Sequence, residues 1–180
     1  MLFNPDISRQ AVEVIFTNKK NKPVLDPLSF NGIPVKLVDE TKHLGMTLDS
    51  KLSFASHLEG KLAKARQGLG LMIQLKKWVA HYVLEVIYKL YVRPHLDYGD
   101  IVFHRANTEK TDITDFSNTS PLLKKVESIQ YEAALVVTGA WKGSSMELLY
   151  KNLGCESLNN HRIMRKLCII HETIATLTPL

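Results

Sequence analysis

The 180-residue sequence has few cysteines, no long apolar run and no sign of a leader peptide. Cys155 and Cys168 are its only cysteines, and because a chain of this size does not need a disulfide, we expect reduced thiols. No apolar run approaches the ~20 residues that span a bilayer, and no basic stretch followed by an apolar one opens the chain. We therefore expect an intracellular protein, nuclear or cytoplasmic, with no membrane partner.

The composition is that of a globular protein with an uneven charge distribution. Hydrophobic residues make up 45% of the chain and charged residues 23%, enough for one domain or two small subdomains. Residues 51–95 carry eight lysines and arginines but only two glutamates. A basic helical region attracts phosphate backbones, although a solvated helix face has the same composition and on charge alone is the commoner case.

The first part of the chain has the patterns of short strands. Residues 11–17 alternate β-branched and other side chains and predict a strand. Asn31-Gly32, between two short apolar stretches, predicts a tight hairpin turn because both turn residues need positive φ. Residues 43–48 predict another short strand. Together these patterns predict one small antiparallel sheet within residues 10–49.

From residue 52 onward, apolar residues recur at steps of three and four and predict helices. Helices are expected over 58–73 and 79–92, then from 121 to Gly139, followed by a short helix and by a last one that Ser157 caps. The expected fold class is therefore α+β, with a small antiparallel sheet or hairpin followed by a mainly α-helical bundle. The predicted apolar stripe of the second helix is Val83, Val86, Ile87 and Leu90, and that of the last helix is Ile163, Leu167, Ile170 and Ile174.

Short motifs along the chain carry a family resemblance. His43-Leu44-Gly45 is followed by Leu48-Asp49 and Leu52-Ser53-Phe54, then by the run from Tyr88 to Gly99, then by Thr138-Gly139-Ala140. In this order, the motifs resemble the late part of the reverse transcriptase of a non-LTR retrotransposon, of the LINE or jockey-like kind. The resemblance covers nearly the whole chain, while each motif alone is a weak signal.

The resemblance implies a division of the chain into four parts. Residues 1–50 would be the end of the palm with a primer-grip-like hairpin, and residues 51–104 a thumb-like helical region. Residues 105–120 would be a polar linker and residues 121–180 a C-terminal helical segment. The implied partners are an RNA template, a DNA primer, and the palm and fingers of the parent polypeptide, which are missing here.

The residues that the chemistry of this family needs are not in the sequence. Nucleotide transfer uses two Mg²⁺ ions, which take closely placed carboxylate ligands, and the sequence has no Asp-Asp pair. Mg²⁺ is therefore expected only in a complete parent enzyme, and this chain is predicted to be inactive alone, with no catalytic residue, cofactor or metal site. Cys155, His161, Cys168 and His171 do not have the paired short gaps of a structural zinc site.

The resemblance also implies which residues touch nucleic acid. Arg9 is a candidate for neutralising phosphate charge, which an arginine can do although it cannot give up a proton. The hairpin residues would hold the primer end, and a purely structural hairpin is an equal alternative. The candidate nucleic-acid-binding residues are His43, Leu44, Gly45, Met46, Lys61, Lys64, Arg66, Lys76 and Lys77.

Two other interpretations stay open. The chain could be a non-enzymatic, nucleic-acid-binding helical module, or a relic of a retroelement without a function. Trp78 and Trp141 could stack on bases, but tryptophans near helix ends more often anchor packing.

Overall fold

The computed structural model describes residues 11–19, 26, 28–30, 32–106 and 121–177. Short strands come first and helices follow, so the predicted α+β class is confirmed. The chain divides into two compact units between His57 and Leu58, and each unit is described by itself.

The strands of the first unit form three two-stranded pairs. β2 pairs with β3 and β5 with β6, both antiparallel, while β1 pairs with β4 in parallel. The sequence predicted one antiparallel sheet, and this prediction is wrong both in the number of sheets and in the direction of the β1–β4 pair. The strands are β1 (Val12–Glu13), β2 (Ser29–Phe30), β3 (Ile33–Pro34), β4 (Lys36–Leu37), β5 (Glu40–His43) and β6 (Met46–Asp49).

The predicted turn at residues 31–32 and the strand predicted over residues 43–48 have different outcomes. Phe30 pairs with Ile33 and Gly32 has a φ of +75°, so the predicted two-residue hairpin is confirmed, although residue 31 itself lies outside the described residues. The strand predicted over 43–48 is wrong, because the chain reverses at Leu44 and Gly45. The alternation continues across this turn, which is why it resembles one strand.

The second part of the chain is helical, as predicted. The strand-free region contains α1 (Ala55–Leu75), α2 (His81–Ile87), a π-helical segment (Tyr88–Val92), α3 (Arg93–Asp97), α4 (Asp100–Ala106), α5 (Pro121–Thr138), α6 (Met146–Asn152) and α7 (Leu158–Leu177). Gly139 ends α5 with a φ of +70°, and the Ser157 Oγ accepts a hydrogen bond from the Asn160 N–H at the start of α7. Both predicted helix boundaries are confirmed. α4 extends into the predicted linker as far as Ala106.

The apolar stripe predicted for the second helix is wrong. The side chains of Val86 and Leu90 are exposed, because the chain turns a different face toward the core. Every fourth side chain from α2 through the π-helical segment into α3 faces the core, and these side chains form one buried row. That buried row is Leu84, Tyr88, Val92 and Leu96.

Buried charges join α4, α5 and α7. Burial raises the pKa of Glu127, and the nearby Arg162 guanidinium lowers it in part. Burial also raises the pKa of Asp100, whose Oδ1 accepts a hydrogen bond from Arg165 Nη1 at 2.9 Å. The Tyr150 hydroxyl donates to Glu127 Oε1 at 3.3 Å. These contacts hold the first half of α7 against the other helices.

Candidate nucleic-acid interface

The β5–β6 hairpin presents the residues that the sequence assigns to the primer grip. His43 pairs with Met46, so only Leu44 and Gly45 form the turn, with φ values of +47° and +77°. A leucine rarely adopts positive φ, and such strain costs on the order of 1–3 kcal/mol. Leu44 is nevertheless exposed at the tip. The turn therefore holds a large apolar side chain outward at a conformational cost.

The base of this hairpin is tied to the start of α1. Asp49 accepts hydrogen bonds from the backbone N–H groups of Ser53 and Phe54, at 3.1 and 2.9 Å. Burial alone would raise the pKa of Asp49, but these donors lower it below its ordinary value. The Thr47 N–H donates to His57 Nδ1 at 3.3 Å, which orients this buried ring. The hairpin is thus a fixed support, whichever of its two proposed roles applies.

The five predicted cations of the second unit do not have equal surroundings. Lys64 and Arg66 are exposed on α1, and Lys76 and Lys77 are exposed in the turn that follows it. Lys61 is half-buried, with its Nζ 3.6 Å from the centre of the Tyr98 ring. This cation–π contact holds the Lys61 ammonium in place, so it is less available to a ligand than the other four.

An open cleft of about 410 Å³ lies beside Lys64, between α1 and the segment from Tyr91 to His95. Gly68 lets α1 and this segment pack closely together, because a Cβ there would lie 2.9 Å from Val92 Cγ2 and 3.0 Å from the Tyr91 carbonyl oxygen. The side chains of Tyr91, Lys64 and His95 therefore line the same opening. The lining residues are Lys64, Gln67, Gly68, Leu71, Tyr91 and His95.

Two lysines place positive charge near the His95 imidazole of this cleft. Burial lowers the pKa of His95, and the ammonium groups of Lys61 and Lys64 lower it further. An anion placed between these three groups would be attracted by the two lysines and would favour protonation of the imidazole. Sequence reasoning missed Gln67, Tyr91 and His95, since the packing at Gly68 that brings them beside Lys64 has no local signal.

The two tryptophans are not packing anchors, so the favoured interpretation of both is wrong. Trp78 is 84% exposed and Trp141 is 88% exposed. Both sit in turns next to helix ends, as the sequence indicates, but their indole rings lie in solvent.

The described residues do not fit a catalytic Mg²⁺ site. Across residues 32–106, 121–177 and the short described stretches before them, no group of three or more His, Cys, Asp or Glu residues could hold a metal ion. Asp97 pairs with Arg93 at 3.1 Å, and Asp100 pairs with Arg165, so these carboxylates form a structural corner. Arg9 lies outside the described residues.

Within the described chain, none of the helices has the length and apolar character that crossing a membrane requires. Comparison of the chain with protein-family models, with curated protein sequences and with solved structures gave no match.

Proposed function

We propose that this chain is part of the RNA-directed DNA polymerase of a non-LTR mobile element, and that its own contribution is to hold the RNA template and DNA primer. The order of the sequence motifs supports the parent activity. The absence of an Asp-Asp pair means that the carboxylates for nucleotide transfer must come from other parts of that enzyme.

The observation that carries the binding role is the positive cleft beside α1. Lys64 and Arg66 are exposed, and the lysines of this face already lower the pKa of His95. Exposed cations attract the phosphate backbone without reading its sequence. The hairpin tip of the first unit supports the same role separately, because its turn keeps the Leu44 side chain exposed at a positive φ.

The proposal is tested by the salt dependence of binding to a primed RNA hairpin. Each phosphate contact that a lysine makes releases counterions, so affinity falls as salt rises. Replacing both Lys61→Ala and Lys64→Ala should flatten the slope of log affinity against log salt by at most about 2 units. Lys64 should account for most of the change, since Lys61 is engaged with Tyr98.

The matched control removes the same charge elsewhere. Lys124→Ala with Lys125→Ala takes two exposed lysines from α5 and should leave the slope close to that of the unchanged protein. Equal slopes for the two double variants would mean that net charge, and not the α1 surface, governs binding. Binding that does not respond to salt would contradict the proposed function itself. Incorporation of deoxynucleotides by the pure chain would contradict the assignment of the chemistry to other parts of the enzyme.

A further inference from the structure

The two most exposed large apolar side chains in the described structure are both tryptophans. Trp78 follows α1 and Trp141 follows α5. Tryptophan has the largest apolar surface of any side chain, so leaving two in water is unfavourable unless they have a partner. The helical core explains neither ring.

The backbone around both rings is fixed although the rings are open. The Trp78 N–H donates to the Leu75 carbonyl oxygen at 2.8 Å, closing the turn after α1. The Trp141 carbonyl oxygen accepts from the Ser144 N–H at 3.1 Å and from the Ser144 Oγ at 2.8 Å. The Tyr131 hydroxyl accepts from the Gly143 N–H at 2.9 Å and fixes the same turn from α5. Both indoles are therefore presented on ordered turns, which reduces the entropy cost of binding a ligand.

One contact brings the two turns to the same end of the helical unit. The Nδ1–H of His81 donates to the Val137 carbonyl oxygen at 2.7 Å, and a Cβ on Gly139 would lie 3.9 Å from His81 Cε1. Trp78 is three residues from His81 and Trp141 four residues from Val137, so each lies within roughly 11–14 Å of this joint by chain length alone. One extended ligand of a few nucleotides could therefore reach both rings.

Lysines are the sequence neighbours of both tryptophans. Lys76 and Lys77 precede Trp78, and Lys142 follows Trp141. All three lysines are exposed. Tyr82, on the first turn of α2, adds a third exposed ring at this joint. We call the set of Lys76, Lys77, Trp78, Tyr82, Trp141 and Lys142 the indole patch.

We propose that the indole patch binds single-stranded nucleic acid, with Trp78 and Trp141 stacking on separate bases and the three lysines contacting the phosphates between them. This proposal rests on the proposed function for its class of ligand, and it assigns the single strand to a place apart from the α1 cleft. Stacked bases and a phosphate chain match alternating rings and cations, and every base offers a face to stack, so little sequence preference is expected.

Intrinsic fluorescence tests the proposal directly, because the chain has only two tryptophans and both belong to the patch. An unlabelled single-stranded oligonucleotide added to the full chain should quench the emission, and a fully paired duplex of the same sequence should quench it much less. Trp78→Ala and Trp141→Ala should each weaken single-strand binding by roughly 5- to 100-fold. Trp78→Phe should retain more affinity than Trp78→Ala, because a phenyl ring still stacks.

Two controls separate stacking from other causes. Phe16→Ala removes an exposed aromatic ring of the first unit and should leave single-strand affinity unchanged. Lys76→Ala with Lys77→Ala should lower the salt slope by about 1.4 units, the value for two contacts to a single strand. Circular dichroism should show the native helix content in every variant.

The remaining outcomes distinguish this proposal from the proposed function. If the primed hairpin binds with the expected salt slope but single strands cause no quenching, the indole patch assignment is wrong and the α1 role stands. If single strands quench both tryptophans while Lys61→Ala with Lys64→Ala leaves hairpin binding unchanged, the patch stands and the α1 role fails. Quenching or a blue shift with anionic phospholipid vesicles alone would overturn the proposal in favour of a membrane surface. A blue shift that grows with protein concentration alone would overturn it in favour of self-association.

Discussion

Helices α5 and α7 have apolar residues at the same spacing but differ in what covers them. On α5, Ile129 is 2% exposed within a fully buried row. On α7, Leu167 is 55% and Ile170 is 53% exposed, and every residue from 167 to 177 is exposed. The period of the sequence fixes which side chains share a helix face, but the partner that covers the face is a separate property.

The boundary between the two behaviours lies within α7. Leu158 and Arg162 are buried against the other helices, and Ile163 is half-buried. Beyond Lys166 the helix has no buried side chain. The first turns of α7 thus contribute to the stability of the helical core, as α5 does, and its last three turns do not.

The largest loss of stability is expected from a substitution at the buried end of α7. Arg162→Ala should destabilise the fold by about 3–5 kcal/mol, because it removes a fully buried cation whose charge acts on the buried carboxyls of Glu127 and Asp100 and leaves a cavity in its place. Denaturant unfolding followed by circular dichroism measures the loss.

Arg165→Ala is the matched control for that substitution, one turn further along the same helix. The Arg165 side chain is 43% exposed, but the Asp100 carboxylate that it pairs with is buried. Removing the Arg165 side chain takes a hydrogen bond from a buried group, so a loss of about 1–3 kcal/mol is expected, smaller than that of the fully buried arginine. Equal losses for the two arginine variants would show that burial does not separate them.

The next effect compares the two apolar faces themselves. Ile129→Ala on α5 should cost about 2–5 kcal/mol by opening a cavity, while Ile170→Ala on α7 should stay within about 0.5 kcal/mol. Both free energies of unfolding come from the same denaturant titration. A large loss for Ile170→Ala would mean that the end of α7 is covered in solution, and the comparison would then have to be redrawn.

A smaller effect extends the comparison to the two sides of α1. Gly68→Ala should cost about 1–3 kcal/mol, because its Cβ would collide with the Val92 side chain and the Tyr91 backbone. Gly70→Ala meets nothing within 4 Å and should stabilise the helix by up to about 1 kcal/mol. Thermal unfolding of the two variants should shift in opposite directions. A neutral Gly68→Ala would mean that α1 and the π-helical segment can separate without loss.

Much of the helical part could be predicted from the sequence because local rules determine it. The apolar residues that recur from Leu58 to Met72 are buried as their spacing predicts, whereas Ile73, the next residue of the same predicted row, is 55% exposed. Gly139 ends α5 as predicted. The strands were less predictable, since two-residue pairs such as β1 with β4 depend on contacts between distant segments.

The candidate site shows the same limit. The cations of α1 can be read from the sequence, whereas Tyr91 and His95 join Lys64 only because Gly68 lets two segments touch. Exposure of Trp78 and Trp141 could not be read either, because an apolar ring near a helix end has the same sequence signal whether it packs or not.

The solvent exposure of both indole rings determines what the tryptophan fluorescence of this protein can measure. Tryptophan emission usually follows denaturation because unfolding brings a sheltered ring into water, but here water already surrounds Trp78 and Trp141 in the native state. The emission colour should therefore change little when the chain melts. The same two rings should change their fluorescence strongly when a ligand covers them. Tryptophan emission should therefore report ligand binding by this protein and be a poor measure of its unfolding.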